Sequence, residues 1–372
     1  MPKALAAVLW DYEEPLRVEE VDVDDPGPGE VLVRIAVAGI CHTDEHVITG
    51  DLPLPVPMVL GHEGSGVVAA VGEGVRGVAV GDRVVLSWLP ECNDCVPCNR
   101  GWTGMCETTK KAAEKGTLWR GRTGVQHKGE RLHVMSLVGA FAEYALVPAA
   151  GIVPVPDEIP LELAALIGCS ATTGYGAVAH AARMPEGAEV AVIGAGGVGQ
   201  SVVMAARMRG AGRIIAVDRS PERLEEATRH GATDVVLAGT NDALQAILDL
   251  TGGYGVDQAF EVVGTPETIA QAFNALRPGG TAVVVGVSPP HLDVSLNAFT
   301  FPSQQKTLTG TWYGGGVLAD DAPQLFAAYR QGTFDLAALA GPTFRLDQIN
   351  EAFDAMRHGR AGRPLLRLSD DR

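Results

Sequence analysis

The chain has 372 residues, 46% of them hydrophobic, and carries a formal net charge of −16 with an isoelectric point near 5.0. This length predicts about two domains, and the acidic balance argues against nucleic acid or an anionic membrane as a partner. We find no apolar run near eighteen residues and no signal-peptide cleavage region after the first residues, so we expect a cytoplasmic protein without a membrane span.

The first 160 residues or so are rich in short apolar or alternating runs. EVLVRIAVAGI, GSGVVAAVG and DRVVLSWL are separated by Gly and Pro, a pattern that predicts strands and turns of an irregular barrel. Residues 107–139 differ, because they are polar, Gly-rich and without a clear period. Between Glu107 and Arg131 they hold seven Lys or Arg against three Glu. A solvated loop, an active-site rim and a subunit contact are all open interpretations.

From about residue 170, predicted strands and helices alternate. The predicted strands are GAEVAVIGA, RIIAVD, DVVLAG, VDQAFEVVG and TAVVVGV, and helices are predicted over 196–211, 220–231, 242–252 and 265–280. Such alternation predicts a parallel, doubly wound sheet. The later run FRLDQINEAFDAMRHGRAGRPLLRL predicts one helix and then a strand, and we expect this tail to rejoin the amino-terminal domain.

Four of the six cysteines crowd into one loop, as Cys92-x2-Cys95-x2-Cys98-x7-Cys106. In a cytosolic chain such crowding indicates a metal rather than disulfides. Four thiolates close a tetrahedral shell and leave no position for substrate, so we predict a structural zinc. A ferredoxin-type iron–sulfur run would place its fourth Cys three residues on, followed by Pro. Here seven residues separate Cys98 from Cys106, and Glu107 rather than Pro follows Cys106.

The other two cysteines, Cys41 and Cys169, leave a second metal site open. Cys41 begins the run CHTDEH, and His62 lies in GHEG. Thiolate and imidazole together suit zinc, and a Cys2His set with one open position is typical of a catalytic zinc. The alternative is a polar surface turn in which Cys41 is a small buried hydrophobic residue.

A glycine-rich motif follows the first predicted strand of the alternating region and opens a helix. That context, with Asp218 at the end of the next strand, is typical of dinucleotide binding. The helix amino terminus favours the phosphate charge. Asp218 would bind the adenosine ribose and repel a 2′-phosphate, which favours NAD over NADP. The motif consists of Gly194, Ala195, Gly196, Gly197, Val198 and Gly199.

Taken together, these motifs resemble those of the zinc-containing, medium-chain alcohol dehydrogenases over nearly the whole chain. GHEGSGVVAAVG resembles the family's zinc signature, and the other motifs stand in the family's order at similar spacing. The resemblance implies an α/β fold, with a GroES-like β-rich catalytic domain plus a Rossmann doubly wound parallel sheet. The catalytic domain would comprise residues 1–170 and 313–372 with both zinc sites, and the NAD-binding domain residues 171–312.

The resemblance also implies roles for individual residues. Cys41, His62 and Cys169 would bind the catalytic zinc, and Asp44 would orient the zinc-bound histidine. Thr43 and His46 resemble a proton relay, and Glu63 lies beside the metal. A helix cap for Thr43, a plain surface histidine for His46 and a structural role for Glu63 are the alternatives. Further positions resemble cofactor contacts, namely His42, Arg223 and Arg363, or pocket walls, namely Leu52 and Trp88.

The implied function is reversible hydride transfer between an alcohol or aldehyde and NAD, with two zinc ions per chain. Because Leu52 and Trp88 are apolar, we expect an apolar alcohol, aromatic alcohols included, rather than a polyol. A polyol dehydrogenase and a glutathione-dependent formaldehyde dehydrogenase of the same fold are alternatives. The latter's family pattern has acidic residues where this chain has Leu52. A zinc- and NAD-binding protein without turnover is a third alternative.

The expected assembly is a homodimer. Residues 305–312 are predicted to form the last strand of the NAD-binding domain at a sheet edge, and a bare edge strand invites pairing. Pairing two such edges about a two-fold axis gives a self-complementary interface. Segment 107–139 resembles that of the family's dimeric members, and a homotetramer is the alternative.

Overall fold

The computed structural model describes residues 3–239, 242–358 and 362–369. The chain divides into two compact units. The first comprises Met1–Cys169, Val317–Phe326 and Leu336–Arg372, and the second Ser170–Gly316 and Ala327–Asp335. The domain limits given above stay predictions.

Nineteen strands lie within the described ranges. In chain order they are β1 Lys3–Leu9, β2 Arg17–Val23, β3 Glu30–Gly39, β4 Met58–Val59, β5 Glu63–Val71, β6 Arg83–Leu86, β7 Val125–His127, β8 Glu130–Arg131, β9 His133–Val134, β10 Tyr144–Pro148, β11 Ile152–Pro154, β12 Glu189–Ile193, β13 Arg213–Asp218, β14 Asp234–Leu237, β15 Val256–Glu261, β16 Leu276–Val284, β17 Thr307–Gly310, β18 Ala340–Arg345 and β19 Arg363–Arg367.

Twelve α-helices lie in the same described part of the chain. They are α1 His42–Ile48, α2 Val96–Asn99, α3 Glu107–Glu114, α4 Leu161–Leu166, α5 Thr172–Gly176, α6 Gly197–Met208, α7 Pro221–His230, α8 Ala243–Leu250, α9 Pro266–Asn274, α10 Thr300–Gln304, α11 Leu318–Arg330 and α12 Ile349–Arg357. Two π-helical segments, Ile167–Ala171 and Ala177–Ala181, lie next to α5.

The first unit is β-rich, as its sequence predicts. One sheet has the order β8-β7-β2-β1-β4-β9, and another has the order β11-β6-β5-β3-β19-β18, with β10 also paired to β3. Strand β3 is buried along almost its whole length, because its Val, Ile and Ala side chains pack on both faces. The tail supplies α12 and β19, and β19 pairs antiparallel with β3. The prediction that the tail rejoins the amino-terminal domain is therefore confirmed.

The second unit is built on a parallel sheet with the order β14-β13-β12-β15-β16-β17. Each of its pairings is parallel, which confirms the doubly wound sheet predicted from the alternating pattern. The order reverses between β12 and β15, and ligands of such sheets bind beyond the strand ends at that reversal. Strand β17 lies at one edge, as predicted for the last strand of this domain.

Two local predictions differ from the structure. Residues 107–139 begin with helix α3, which buries Thr109 and Ala112 although the stretch is mostly polar. The helix predicted over 265–280 ends at Asn274, and residues from Leu276 on belong to β16. Tertiary pairing with β15 overrides the local signal there.

One helical stretch, Leu161–Ala181, is long and apolar enough to cross a membrane by length and composition. The sequence alone predicts no such stretch. However, 89% of its most apolar window is buried inside the protein, as in the core helix of a globular fold.

Candidate active site and metal sites

Three metal-ligand side chains that are far apart in the sequence converge in the first unit. The ligand atoms of Cys41, His62 and Cys169 all lie within 4.8 Å of one another. Nε2 of His62 lies 3.5 Å from Sγ of Cys169. Two sulfurs and one imidazole nitrogen at this separation fit a zinc ion with one open coordination position. The chemistry and spacing of the donor set therefore agree with the ligand set implied by the resemblance.

Asp44 fixes the orientation of His62. Its carboxylate is fully buried and accepts hydrogen bonds from the backbone N–H groups of Cys41, at 2.9 Å, and of Gly61, at 3.3 Å. It also accepts from Nδ1 of His62 at 3.0 Å. A proton held on Nδ1 leaves the lone pair of Nε2 free for a metal. Asp44 thus occupies the orienting position expected for it.

The loop before His62 requires glycine. Gly61 has a φ of +90°, and a Cβ there would lie 2.7 Å from the backbone nitrogen of Phe141. A side chain would therefore be strained by both the backbone conformation and the contact. This glycine lets the chain turn tightly enough to place His62 directly before the start of β5.

The two thiols of this site have opposite pKa shifts. A hydrogen bond from Cys169 lowers the pKa of Cys41 well below its usual range, although burial opposes the shift, and the Arg363 charge adds to the lowering. The same hydrogen bond, together with burial, raises the pKa of Cys169. A thiolate is the form that binds metal, and the lowered pKa of Cys41 favours that form.

Glu63 and Arg363 form a buried ion pair beside these ligands. Nη1 of Arg363 donates to Oε2 of Glu63 at 2.8 Å, and the exposed fractions are 8% and 0%. Burial raises the pKa of Glu63 to about 7, and the Arg363 charge opposes that rise. Among the residues that the structure describes, Oε1 of Glu63 has no hydrogen-bond partner. Glu63 lies next to the ligands as expected, and the cofactor role of Arg363 stays a prediction.

Helix α1 carries the predicted proton relay. Cys41 is its cap, so Thr43 lies inside the helix and is not the capping residue. Oγ1 of Thr43 lies 3.6 Å from Sγ of Cys41. Thr43 and His46 are three residues apart and therefore share a helix face. Nδ1 of His46 lies 3.5 Å from a carboxylate oxygen of Asp51, and the imidazole is 30% exposed. His42 is exposed at the first helical position.

The two predicted pocket residues are partly buried against the hydrophobic core of this unit. The ring of Trp88 meets that of His62 edge to face, with 5.9 Å between centroids. Trp88 therefore lies beside a predicted metal ligand. Leu52 lies near the end of α1, where its backbone N–H donates to the carbonyl of His46 at 2.8 Å.

The four cysteines of the second predicted metal site also lie close together. The sulfurs of Cys92, Cys95, Cys98 and Cys106 lie within 4.8 Å of one another, as a tetrahedral thiolate site requires. Burial raises the pKa of Cys92, but hydrogen bonds outweigh it, led by that from the Thr108 hydroxyl, so the pKa falls to about 6. Burial, with help from Cys95, raises the pKa of Cys98 to about 12. The donor set fits a structural zinc.

The glycine motif lies between β12 and α6, at the reversal of the parallel sheet. A Cβ on Gly199 would lie 1.9 Å from the carbonyl oxygen of Gly194, so the close contact of helix and turn requires glycine. Gly194 itself has a φ of +98°. A Cβ on Gly196 would meet nothing within 4 Å. The space over Gly196 fits a pyrophosphate at the amino terminus of α6, which contains Gly197 and Val198.

Asp218 ends β13 beside this turn, as predicted. Its carboxylate accepts hydrogen bonds from the backbone N–H groups of Ala195, at 2.7 Å, and Ser220, at 2.9 Å. Nη1 of Arg223 lies 3.9 Å from the same carboxylate. The structure therefore brings Asp218 and Arg223 to the glycine turn, where an adenosine ribose would lie in a Rossmann fold.

Sequence analysis missed two acidic residues near these sites. Glu45 forms a two-pronged ion pair with Arg357, at 2.8 and 3.0 Å, which ties α1 to α12. Glu261, at the end of β15, is fully buried and accepts from the backbone N–H groups of Val263 and Gly264. Glu261 could have been predicted from the sequence, because it is a carboxylate at the end of an apolar strand. Nothing local points from Glu45 to a partner 312 residues away.

Comparisons with known proteins agree with this geometry. A family model described as "Alcohol dehydrogenase GroES-like domain" matches residues 27–157, and one described as "Zinc-binding dehydrogenase" matches residues 197–330. The chain is 37% identical to an S-(hydroxymethyl)glutathione dehydrogenase from Synechocystis, covering 98% of this chain and 99% of that protein.

Two solved structures illustrate the range of similarity. Benzyl alcohol dehydrogenase from Acinetobacter calcoaceticus is 33% identical with a TM-score of 0.94, covering 99% of this chain and 100% of the other. A zinc-binding dehydrogenase from Sinorhizobium meliloti, bound to NADP, is 26% identical with a TM-score of 0.81 over 99% and 100%. These matches confirm the predicted fold, and they agree with the two candidate metal-ligand groups and the glycine turn. The chain is an oxidoreductase and belongs to the zinc-containing, medium-chain alcohol dehydrogenase family.

Proposed function

We propose that this protein is a zinc- and NAD-dependent dehydrogenase that interconverts an apolar alcohol, aromatic alcohols included, and its aldehyde. The observation that carries the proposal is the convergence of Cys41, His62 and Cys169 within 4.8 Å. Three protein ligands leave a fourth position for substrate, which a purely structural zinc does not need. A protein that only stored zinc and NAD would not need this open position.

Two zinc ions per chain would be held by the residues described above. When bound, zinc at the three-ligand set supplies a Lewis acid that favours loss of the alcohol proton, and NAD supplies the hydride acceptor. Thr43 Oγ1 would accept the substrate proton as its own hydroxyl proton leaves toward His46, which lies on the same face of α1 and would release a proton to solvent. Asp44 keeps His62 in one tautomer throughout.

The apolar substrate class is supported by Trp88 and Leu52. Trp88 packs on the ligand His62, so an alcohol at the open position would meet an indole ring, which favours aromatic or aliphatic groups. The similarity to a benzyl alcohol dehydrogenase supports the same class. The similarity to an S-(hydroxymethyl)glutathione dehydrogenase favours the second candidate, a glutathione-dependent formaldehyde dehydrogenase. An apolar residue at Leu52 argues against that candidate.

One substrate panel tests the proposal. Benzyl alcohol, hexanol, sorbitol and formaldehyde with glutathione are each assayed with NAD and NADP, before and after chelation of the metal. We expect the highest kcat/KM with benzyl alcohol or hexanol, and loss of activity on chelation that zinc restores. The highest kcat/KM with formaldehyde and glutathione would favour the second candidate. Absence of turnover with all four would contradict the proposal.

Asp218 is expected to set a preference for NAD. Its charge would repel a 2′-phosphate at the adenosine ribose, and Asp218→Gly removes both that charge and a hydrogen-bond acceptor. We expect the variant to lose about tenfold in kcat/KM for NAD and to gain at least as much for NADP, since one charge-assisted hydrogen bond contributes about 1.5–3 kcal/mol. Steady-state kinetics with both cofactors measures this. Equal kcat/KM for the two cofactors in the unmutated protein would contradict the charge argument.

His46 is expected to matter most at low pH. Without its imidazole, hydroxide can take the proton at high pH but not at low pH. We expect His46→Gln to lower kcat about a hundredfold at pH 6 and much less at pH 10, at the low end of general base effects. His133→Gln provides the control, because this histidine bonds to the backbone carbonyl of Lys115 outside α1 and its replacement should leave the pH profile unchanged. A uniform loss from pH 6 to 10 would instead indicate a structural role for His46.

We propose that the protein is cytoplasmic and forms a homodimer through the edge of the parallel sheet. In the described part of the chain β17 pairs with β16 alone, and Phe299, on a nearby segment of the same unit, is 74% exposed. Burying one such ring per subunit contributes about 2 kcal/mol.

Light scattering should therefore give twice the single-chain mass of 38.8 kDa. The variant Phe299→Asp should shift the measured mass toward that of the single chain. Val80, 63% exposed on the other unit, gives the control variant Val80→Asp. A single-chain mass for the unmutated protein would contradict the dimer, and four times that mass would favour the tetramer.

A further inference from the structure

A buried glutamine of α6 joins the glycine turn to helix α7. Gln200 is 3% exposed. Its Nε2 donates to the backbone carbonyl of Ala195 and to that of Arg223, both at 2.9 Å. Its Oε1 lies 2.8 Å from Nδ1 of His230, which is 7% exposed at the end of α7. Each polar atom of the Gln200 amide therefore has a partner inside the second unit.

The two carbonyls determine which way this amide points. A carbonyl oxygen only accepts, so the nitrogen of Gln200 must face Ala195 and Arg223. The oxygen of Gln200 then faces His230, and Nδ1 of His230 must carry a proton to donate to it. Burial lowers the pKa of His230, and the neutral imidazole with its proton on Nδ1 meets the requirement. His230 thus adds a third hydrogen bond that holds the amide in the orientation set by the two carbonyls.

This bond controls the peptide plane that precedes Gly196. The carbonyl of Ala195 and the N–H of Gly196 belong to one planar, trans peptide and point in opposite directions. Because Gln200 holds the carbonyl on the buried side, the Gly196 N–H is directed to the other side. On the amino side of Ala195, its N–H donates to Asp218, so both peptides that flank Ala195 are held.

We propose that Gln200 and His230 are a positioning pair for the pyrophosphate-binding turn. By holding the Ala195 carbonyl, they keep the Gly196 N–H directed toward the cofactor before it binds, which lowers the cost of ordering the turn on binding. The inference rests on the proposed NAD-binding function. It concerns the pyrophosphate, since the adenosine end would be bound by Asp218.

The decisive variant is Gln200→Leu, which keeps the size of the side chain and removes its hydrogen bonds. NADH, ADP-ribose and adenosine are each titrated against the zinc-loaded protein. We expect Kd to rise about tenfold for NADH and ADP-ribose, which contain the pyrophosphate, or about 1.4 kcal/mol, and less than threefold for adenosine. We also expect KM for NAD to rise while kcat changes less than twofold. Equal weakening of all three ligands, or none, would overturn the proposal.

A matched pair at His230 tests the orienting role. His230→Asn keeps a nitrogen donor near the position of Nδ1, and His230→Phe removes it. We expect His230→Phe to raise Kd for ADP-ribose about threefold to tenfold and His230→Asn to restore it. Thr228→Val is the control, because Thr228 donates to Leu224 within α7 and does not touch the turn. Equal affinities for the Asn and Phe variants would overturn the role of His230.

These outcomes separate the inference from the function on which it rests. If the unmutated protein does not bind NADH, the proposed function fails. If the unmutated protein binds NADH and Gln200→Leu binds ADP-ribose equally well, only the positioning role fails. Should Gln200→Leu not fold, the Asn and Phe variants at His230 still decide the proposal by the same ADP-ribose titration.

Discussion

Replacing Cys41 by serine is expected to reduce alcohol-dependent NADH formation about a thousandfold or more while leaving the melting temperature nearly unchanged. The change removes one of three donors that lie within 4.8 Å, and a hydroxyl is a poor zinc ligand beside a thiolate. Loss of the Lewis acid costs several kcal/mol of transition-state stabilisation, and each 1.36 kcal/mol is tenfold in rate. Initial rates and elemental analysis measure the effect, and we expect zinc to fall from two ions to one.

The other cysteine site provides the reciprocal control. Cys98→Ser should lower the melting temperature and the yield of folded protein far more than it lowers the kcat of protein that survives. The four-cysteine loop has little regular structure of its own apart from the four-residue helix α2, so metal binding supplies much of its folding free energy. If Cys41→Ser instead unfolded the protein, or if Cys98→Ser were stable and inactive, the catalytic and structural roles assigned to the two sites would have to be exchanged.

Replacing Arg363 by methionine is expected to lower the free energy of unfolding by about 3–5 kcal/mol. Methionine keeps much of the length but leaves the carboxyl group of Glu63 buried without its partner, and breaking a buried pair costs that much. Urea denaturation of the zinc-loaded protein measures the change.

Arg345 offers a matched control, because it forms an ion pair with Asp347 in which the two side chains are 71% and 64% exposed. Arg345→Met should cause a much smaller loss, because solvent screens an exposed ion pair. The double variant Glu63→Gln with Arg363→Met should recover part of the loss, since no buried charge then remains unpaired. Equal small losses at Arg363 and Arg345 would contradict a stabilising role for the buried pair.

How much the sequence predicts depends on how local each signal is. Gly194 and Gly199 were predictable because a turn, a close contact and a helix start fall within six residues. The alternation of strands and helices predicted the parallel sheet for the same reason. The convergence of Cys41, His62 and Cys169 was implied by the resemblance and by the cysteines left over, and spacing alone does not predict it.

Contacts between distant segments were the ones that sequence reasoning missed. Arg363 reaches Glu63 across 300 residues, and no periodicity or capping rule connects them. In the sequence Gln200 is an ordinary helix residue, because its proposed role depends on two backbone carbonyls that become neighbours when α7 packs on α6. Helix α3 was missed since a polar helix that buries only Thr109 and Ala112 has almost no apolar stripe.

The geometry of the three-ligand metal site depends on the number of residues in the π-helical segment Ile167–Ala171. Cys169 lies at its centre, and a π turn closes over one more residue than an α turn, which shifts the direction of every side chain beyond it. Gly168 lies so close to β6 that a Cβ would be 2.7 Å from the carbonyl oxygen of Leu86. Deleting one residue here would rotate the sulfur of Cys169 away from His62 even though every ligand remained in the sequence. The length of this turn is therefore constrained by the metal-ligand geometry, whereas the length of an exposed loop is not.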